Sequence, residues 1–179
     1  MDFLDTMLKR NAIFSETVFN PGLKMLPSTG TIVVGCVDPR VDPAEVLGLK
    51  QGEAAVIRNV GGRVNRPLVE TLGILRVVAK AAGREGGLRN LVLLHHTDCG
   101  IIGCLHHAPD LLARHMGVET AELGTLEIAD PWKSVVRDIA ALKTNEQLPD
   151  AVVVCGLVYD VATGRVEVVV PAAPLRDPG

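Results

Sequence analysis

The chain has 179 residues, about one domain's worth and long enough to bury a core without disulfides, and at 47% hydrophobic but 3% aromatic it has to build that core from Val, Leu, Ile and Ala. Its 21 acidic and 18 basic residues are scattered, giving a net charge of -3 with no basic block, which excludes a nucleic-acid partner that would need basic stripes and stacking aromatics. The first thirty residues mix Asp2, Asp5, Lys9, Arg10 and Glu16 with short apolar pieces, so neither a signal peptide nor a membrane span is read there and a cytoplasmic location is expected.

Phe3, Leu4, Met7, Leu8, Ile13 and Phe14 recur at roughly helical spacing, which predicts a helical arm within residues 1–20. Pro21 and the 26–30 stretch Leu-Pro-Ser-Thr-Gly end it. Thr31 to Gly35 is a short continuous apolar run, as expected of a central strand, and Cys36 sits at its carboxyl end. Asp42 and Pro43 form an N-cap and first-position pair that predicts a short helix to about Leu49. Residues 54–59 read as a second strand ending at Asn59 before Gly61 and Gly62, and Pro67 opens an apolar helix through Ala82 that Gly83 stops. A third strand, 91–94, runs toward His96. The segment after Gly100 is ambiguous. Asp130-Pro131 opens an amphipathic helix carrying Trp132, Val135, Val136, Ile139 and Leu142. Strands at 151–154 and 166–170 follow, joined through the Thr163-Gly164 turn and therefore antiparallel.

Strands alternating with helices imply an α/β domain with a mainly parallel sheet, one antiparallel edge strand and flanking helices. One domain, 1–179, is expected, with residues 30–179 as its core. Ligand sites in such sheets lie beyond the carboxyl ends of the strands, where Cys36, Asn59 and His96 all fall.

Cys36 and the His96-Thr97-Asp98-Cys99 stretch supply two thiolates and one imidazole. That set suits Zn²⁺, one per chain, and leaves a fourth position open. Structural zinc modules use close CxxC knuckles and four ligands, so scattered ligands from the fold itself favour a catalytic ion. His95 is the alternative to His96, and otherwise points into the core or a subunit contact. Asp38 and Arg40 project to one side of a locally extended backbone. The guanidinium would hold the carboxylate ionised and the carboxylate would orient a zinc-bound hydroxide; if Asp38 swung away, it could instead fill the fourth zinc position. Gly61 and Gly62 could let backbone approach a substrate closely. Arg58 and Arg63 either attract an anion or pair with acidic neighbours. His95, His106, His107 and His115 are conceivable proton shuttles, and surface or core positions are the plainer reading of each. Cys155 continues an apolar run and is expected in the core; burial is also the reading for Cys104.

The CxDxR stretch from Cys36 to Arg40, the 56–61 segment Val-Ile-Arg-Asn-Val-Gly, the His96-x-x-Cys99-Gly100 motif and the 156–160 segment Gly-Leu-Val-Tyr-Asp together resemble the beta-class carbonic anhydrases, with the short bacterial members most similar. The resemblance covers nearly the whole chain. It implies zinc-dependent, reversible hydration of CO2 to bicarbonate by a zinc-bound hydroxide. Cys36, His96 and Cys99 would be the metal ligands and Asp38 and Arg40 the gating and orienting pair. It also implies a homodimer or higher homo-oligomer, with N-terminal helices reaching across to the partner. Carbonyl sulfide and carbon disulfide hydrolases resemble the short members and would use the same site. Pro39 departs from the usual serine, removing one donor and biasing Asp38 toward extended backbone. Two other classes are a non-catalytic zinc-stabilised binding module and a thiol redox protein using Cys99 and Cys104.

Overall fold

In the computed structural model, which describes residues 2–84, 88–146 and 148–176, five strands form one sheet. They are β1 (Thr31–Cys36), β2 (Ala54–Asn59), β3 (Asn90–His96), β4 (Val153–Asp160) and β5 (Arg165–Pro174), in the order β2-β1-β3-β4-β5. β2, β1, β3 and β4 run parallel and β5 closes the edge antiparallel to β4. From β1 the chain steps outward on one side to β2 and then crosses to the other side to start β3. The sheet therefore changes winding direction between β1 and β3, and the crevice that opens there is where a doubly wound sheet binds its ligands. Cys36 ends β1 and His96 ends β3, so both flank that crevice.

Among the described residues six α-helices accompany the sheet: α1 (Phe3–Thr17), α2 (Pro43–Val46), α3 (Arg66–Ala81), α4 (Ile101–His107), α5 (Pro109–Met116) and α6 (Pro131–Lys143). Leu68 and Leu72 of α3 and Val135, Ile139 and Leu142 of α6 join Ile32, Val34, Leu91, Leu93 and Val158 of the sheet in one buried cluster. α6 lies very close to β4. A side chain at Gly156 would come within 2.9 Å of both Val135 and Ile139, so glycine there sets the helix-to-strand distance. The Asp130 carboxylate caps α6, accepting from the Trp132 and Lys133 N–H groups as the Asp-Pro pair predicted.

Several boundaries differ from the sequence reading. The helix expected to reach Leu49 is a single turn, α2, because Gly48 at φ +63 takes a left-handed conformation that ends it. β4 and β5 run several residues beyond the predicted 151–154 and 166–170, since their mutual ladder continues past the apolar stretches. The ambiguous region after Gly100 is α4, α5 and a 3₁₀ turn (Thr120–Leu126). These elements bury a second small core of Ile101, Leu112, Ala113, Met116, Leu123, Leu126 and Ile128. Cys155 is half-buried, not fully packed. α1 buries none of its side chains.

Candidate active site

β1 and β3 deliver Cys36 and His96 side by side, and the loop after β3 turns back to bring in Cys99. The three ligand atoms lie within 4.8 Å of one another, with the two sulfurs 3.8 Å apart. Cys36 and His96 are buried and Cys99 is half-buried. Among the described residues this is the cluster of His, Cys, Asp and Glu able to hold a metal ion.

The donor set fits a metal on its own chemistry. His96 Nδ1 donates to the Thr97 carbonyl at 2.8 Å, which fixes the tautomer and leaves Nε2 as the lone-pair nitrogen. That Nε2 is buried and has no hydrogen-bond partner, an expensive arrangement unless a cation takes the lone pair. The thiols are unequal. Cys36 is pulled down to about 4, chiefly by its contact with Cys99, against burial, with help from His96 and from the N–H groups of Asp38 and Gly61. Cys99 is pushed up, first by sharing the proton with Cys36 and then by burial. Burial alone would lower His96, but the neighbouring Cys36 sulfur outweighs it and raises the imidazole. Two sulfurs at this distance hold a proton between them, and a divalent cation displaces it.

Asp38 and Arg40 pair beside the cluster, but not through the extended backbone expected from their spacing. Asp38 is extended (φ -55, ψ 124) as a residue before proline should be, and Pro39–Val41 then forms a 3₁₀ turn. The Asp38 carboxylate caps that turn, accepting from the Arg40 N–H at 2.9 Å, and also receives Arg40 Nη2 at 2.8 Å and Nε at 3.1 Å. Pro39 fits the first position of the turn. The Arg40 guanidinium, with the Arg40 backbone N–H adding to it, holds the Asp38 carboxyl down at about 2. Turned toward Arg40, the carboxylate is not one of the clustered ligand atoms.

Asp98 was not singled out from sequence. Arg40 Nη1 donates to its carboxylate at 2.8 Å and Nη2 to its carbonyl at 2.9 Å, so one guanidinium bridges the Asp38 turn and the ligand loop. Asp98 adopts φ +53, a conformation that Asp tolerates better than most side chains, and no sequence pattern around it marks its contact with Arg40. Arg58 pairs with its neighbours: Nη1 donates to Asp42, Nε to the Cys36 carbonyl and Nη2 to the Asp38 carbonyl, bracing the chain between ligand and dyad. Arg63 is buried in an ion pair with Asp138.

Gly61 and Gly62 both have positive φ, +75 and +65. At Gly62 a Cβ would lie 3.1–3.2 Å from the backbone of Gly35, Cys36 and Leu94, so the loop presses directly on the ends of β1 and β3. Gly61 borders a small recess shared with Arg63, His95, His96, Cys99, Ile101 and Ile128. His95 lines the same recess, its Nδ1 2.7 Å from the Ser134 hydroxyl. His106 and His107 are exposed at the end of α4, His115 contacts Asn65, and Cys104 packs in the second core.

A family model described as carbonic anhydrase matches residues 31–121, which contain every residue of the cluster and of the Asp38–Arg40 pair. Beta-carbonic anhydrase 1 of Mycobacterium tuberculosis is 33% identical over 174 residues, covering 96% of this chain and all of that one. The crystal structure of carbonic anhydrase from Streptococcus mutans superposes with a TM-score of 0.74 at 33% identity, covering 94% of this chain and 98% of that one. Carbon disulfide hydrolase of Saccharolobus solfataricus is 24% identical over 193 residues, covering 92% and 87% of the two chains.

Proposed function

Because the chain belongs to the beta-carbonic anhydrase family, we propose that it catalyses the reversible hydration of CO2 to bicarbonate with one Zn²⁺ held by Cys36, His96 and Cys99. The observation that carries this reading is the buried, partnerless Nε2 of His96 beside two sulfurs that share a proton, with the Asp38 carboxylate held away from them by Arg40. Three ligands and a restrained carboxylate leave a coordination position for chemistry. A Zn²⁺ ion held there by Cys36, His96 and Cys99 would supply a nucleophile at neutral pH by lowering the pKa of water from about 15.7 toward roughly 7.

The chain's own residues do the rest. Asp38, kept ionised by Arg40, acts as an acceptor that orients the attacking water, and Arg40 fixes the direction of that acceptor through several donors. Asp98, on the ligand loop, anchors Arg40 and so couples dyad to metal site. Gly61, with Gly62 packed behind it on the ends of β1 and β3, forms the backbone wall nearest the substrate, and Ile101, Ile102 and Ile128 add apolar side chains to a lining that also holds Arg63, His95 and Asp98. Those apolar side chains also support a second reading, hydrolysis of carbonyl sulfide or carbon disulfide at the same cluster. Stopped-flow CO2 hydration on zinc-loaded protein, with carbonyl sulfide and carbon disulfide run beside it, separates the two. Fast CO2 turnover is expected; efficient sulfur-compound cleavage with feeble CO2 hydration would move the assignment.

The reading extends to the molecule's setting. Residues 1–179 act as one catalytic unit, with 1–20 as an arm. The apolar residues left exposed on α1 support a homodimer or higher homo-oligomer in which the arm covers a partner. Four free cysteines fit a reducing, cytoplasmic setting. Among the described residues no helix is long and apolar enough to cross a membrane.

A further inference from the structure

Next to the metal cluster, against the residue that precedes His96 on β3, lies a buried polar group that the reaction as described does not use. Asp138, on α6, is 4% exposed at its side chain; it accepts hydrogen bonds from the 63–64 segment and lies against His95 of β3. Arg63 Nε and the Val64 N–H each donate to its Oδ2 at 2.8 Å, and Arg63 Nη2 donates to Oδ1 at 2.8 Å. His95 Nε2 stands 3.4 Å from the same carboxylate, and its Nδ1 is 2.7 Å from Ser134, one turn earlier on α6. Burial would raise the Asp138 carboxyl, but His95 and Arg63 outweigh it and hold the group ionised.

Each segment held by Asp138 ends at the cluster. His95 immediately precedes the ligand His96 on β3. Arg63 directly follows Gly61-Gly62, and the Gly62 backbone presses on the Gly35–Cys36 peptide at the end of β1. Asn59 closes that loop from below, donating to the Arg63 carbonyl at 2.8 Å and accepting from the Arg63 N–H at 2.9 Å. A loop with two left-handed glycines has several accessible arrangements, and a bidentate, buried guanidinium–carboxylate pair selects one of them.

We infer that Asp138 is a positioning residue for the metal centre: through Arg63 it sets how the Gly61-Gly62 backbone seats against the end of β1 that carries Cys36, and through His95 it sets the approach of His96. The inference rests on the metal-site reading above. Asp138 belongs neither to the metal cluster nor to the lining of the recess beside it, and its effect is distributed over two ligands at once.

The test uses the full chain loaded with Co²⁺, whose thiolate charge-transfer and d–d absorption report ligand geometry directly. Asp138→Asn keeps the shape and removes the charge. Because leaving Arg63 buried without its partner can unfold the chain, a second variant, Arg63→Met with Asp138→Leu, replaces the whole pair by apolar side chains, a change that buried ion pairs often tolerate. Leu142→Ala, in the core of α6 away from the cluster, serves as a stability control. In both pair variants the charge-transfer band should shift and zinc should be lost to a chelator about 10- to 100-fold faster than from the unaltered chain. Leu142→Ala should lower the melting temperature and leave band and zinc loss unchanged. A wild-type spectrum and wild-type zinc loss in the double variant, or the same shift in Leu142→Ala, would overturn the inference while leaving the carbonic anhydrase reading intact. An unaltered chain that takes up no Co²⁺ would overturn both.

Discussion

At the scale of single residues, the site separates metal retention from turnover. Cys36 and His96 occupy buried positions whose loss leaves two ligands, too few for a tight tetrahedral site, so Cys36→Ser and His96→Ala should emerge with far less than one zinc per chain by elemental analysis. Asp38 is different, because its carboxylate faces Arg40 and lies outside the ligand set. Asp38→Asn should keep its zinc and lose about 10- to 100-fold in CO2 hydration by stopped flow; unaltered activity would instead favour a closed, non-catalytic zinc module. The same pair gives a pH prediction. Arg40 depresses the Asp38 carboxyl below its unfolded value of about 3.9, so the stability it contributes is fully present above that value and disappears as pH falls toward about 2. Carboxyl-carbon NMR should therefore show Asp38 titrating near 2, and Arg40→Ala should return it toward the ordinary range.

At the scale of elements, the loop after β2 matters more than its length suggests. Gly62 combines φ +65 with backbone atoms at 3.1–3.2 Å from any added Cβ, whereas Gly83 has φ +77 and open space around it. Gly83→Ala should cost only the left-handed strain, about 1–2 kcal/mol, while Gly62→Ala adds overpacking of about 1–3 kcal/mol against the ends of β1 and β3. Urea denaturation of the two variants side by side checks this, and equal losses would mean that the loop yields easily. The 3₁₀ turn at Pro39–Val41 carries the related lesson for the dyad. The i, i+2 spacing of Asp38 and Arg40 was legible, but a turn capped by Asp38, not an extended strand, brings the charges together, because proline at position 39 opens a turn as readily as it extends the residue before it.

At the scale of the whole molecule, the arm is the part that the single chain leaves unfinished. Phe3, Leu4, Met7, Leu8 and Ile13 of α1 are more than half exposed, as are Ile74 and Val77 of α3, and β2 is an open sheet edge. Apolar surface on this scale is expected to be covered by another copy. Sedimentation velocity should give a dimer or larger species, and replacing Phe3 and Leu8 with Glu should shift it toward monomer. A native chain that sediments as a monomer at micromolar concentration would refute the assembly.

The sequence by itself determined the alternation of strands and helices, the placement of Cys36 and His96 at strand ends, and the kinship that gives the chain its chemistry. These are local properties, since apolar runs, proline and glycine punctuation and ligand spacing are written within a few residues of where they act. Tertiary structure alone decided what depends on distant partners. Nothing near residue 63 announces that Arg63 meets Asp138, 75 residues away, or that Arg40 reaches Asp98, 58 residues away. The second core behind Cys99 was equally hidden, because α4, α5 and the 3₁₀ turn are each too short to show a clear period alone and become stable only by burying Leu112, Leu123 and Ile128 against one another.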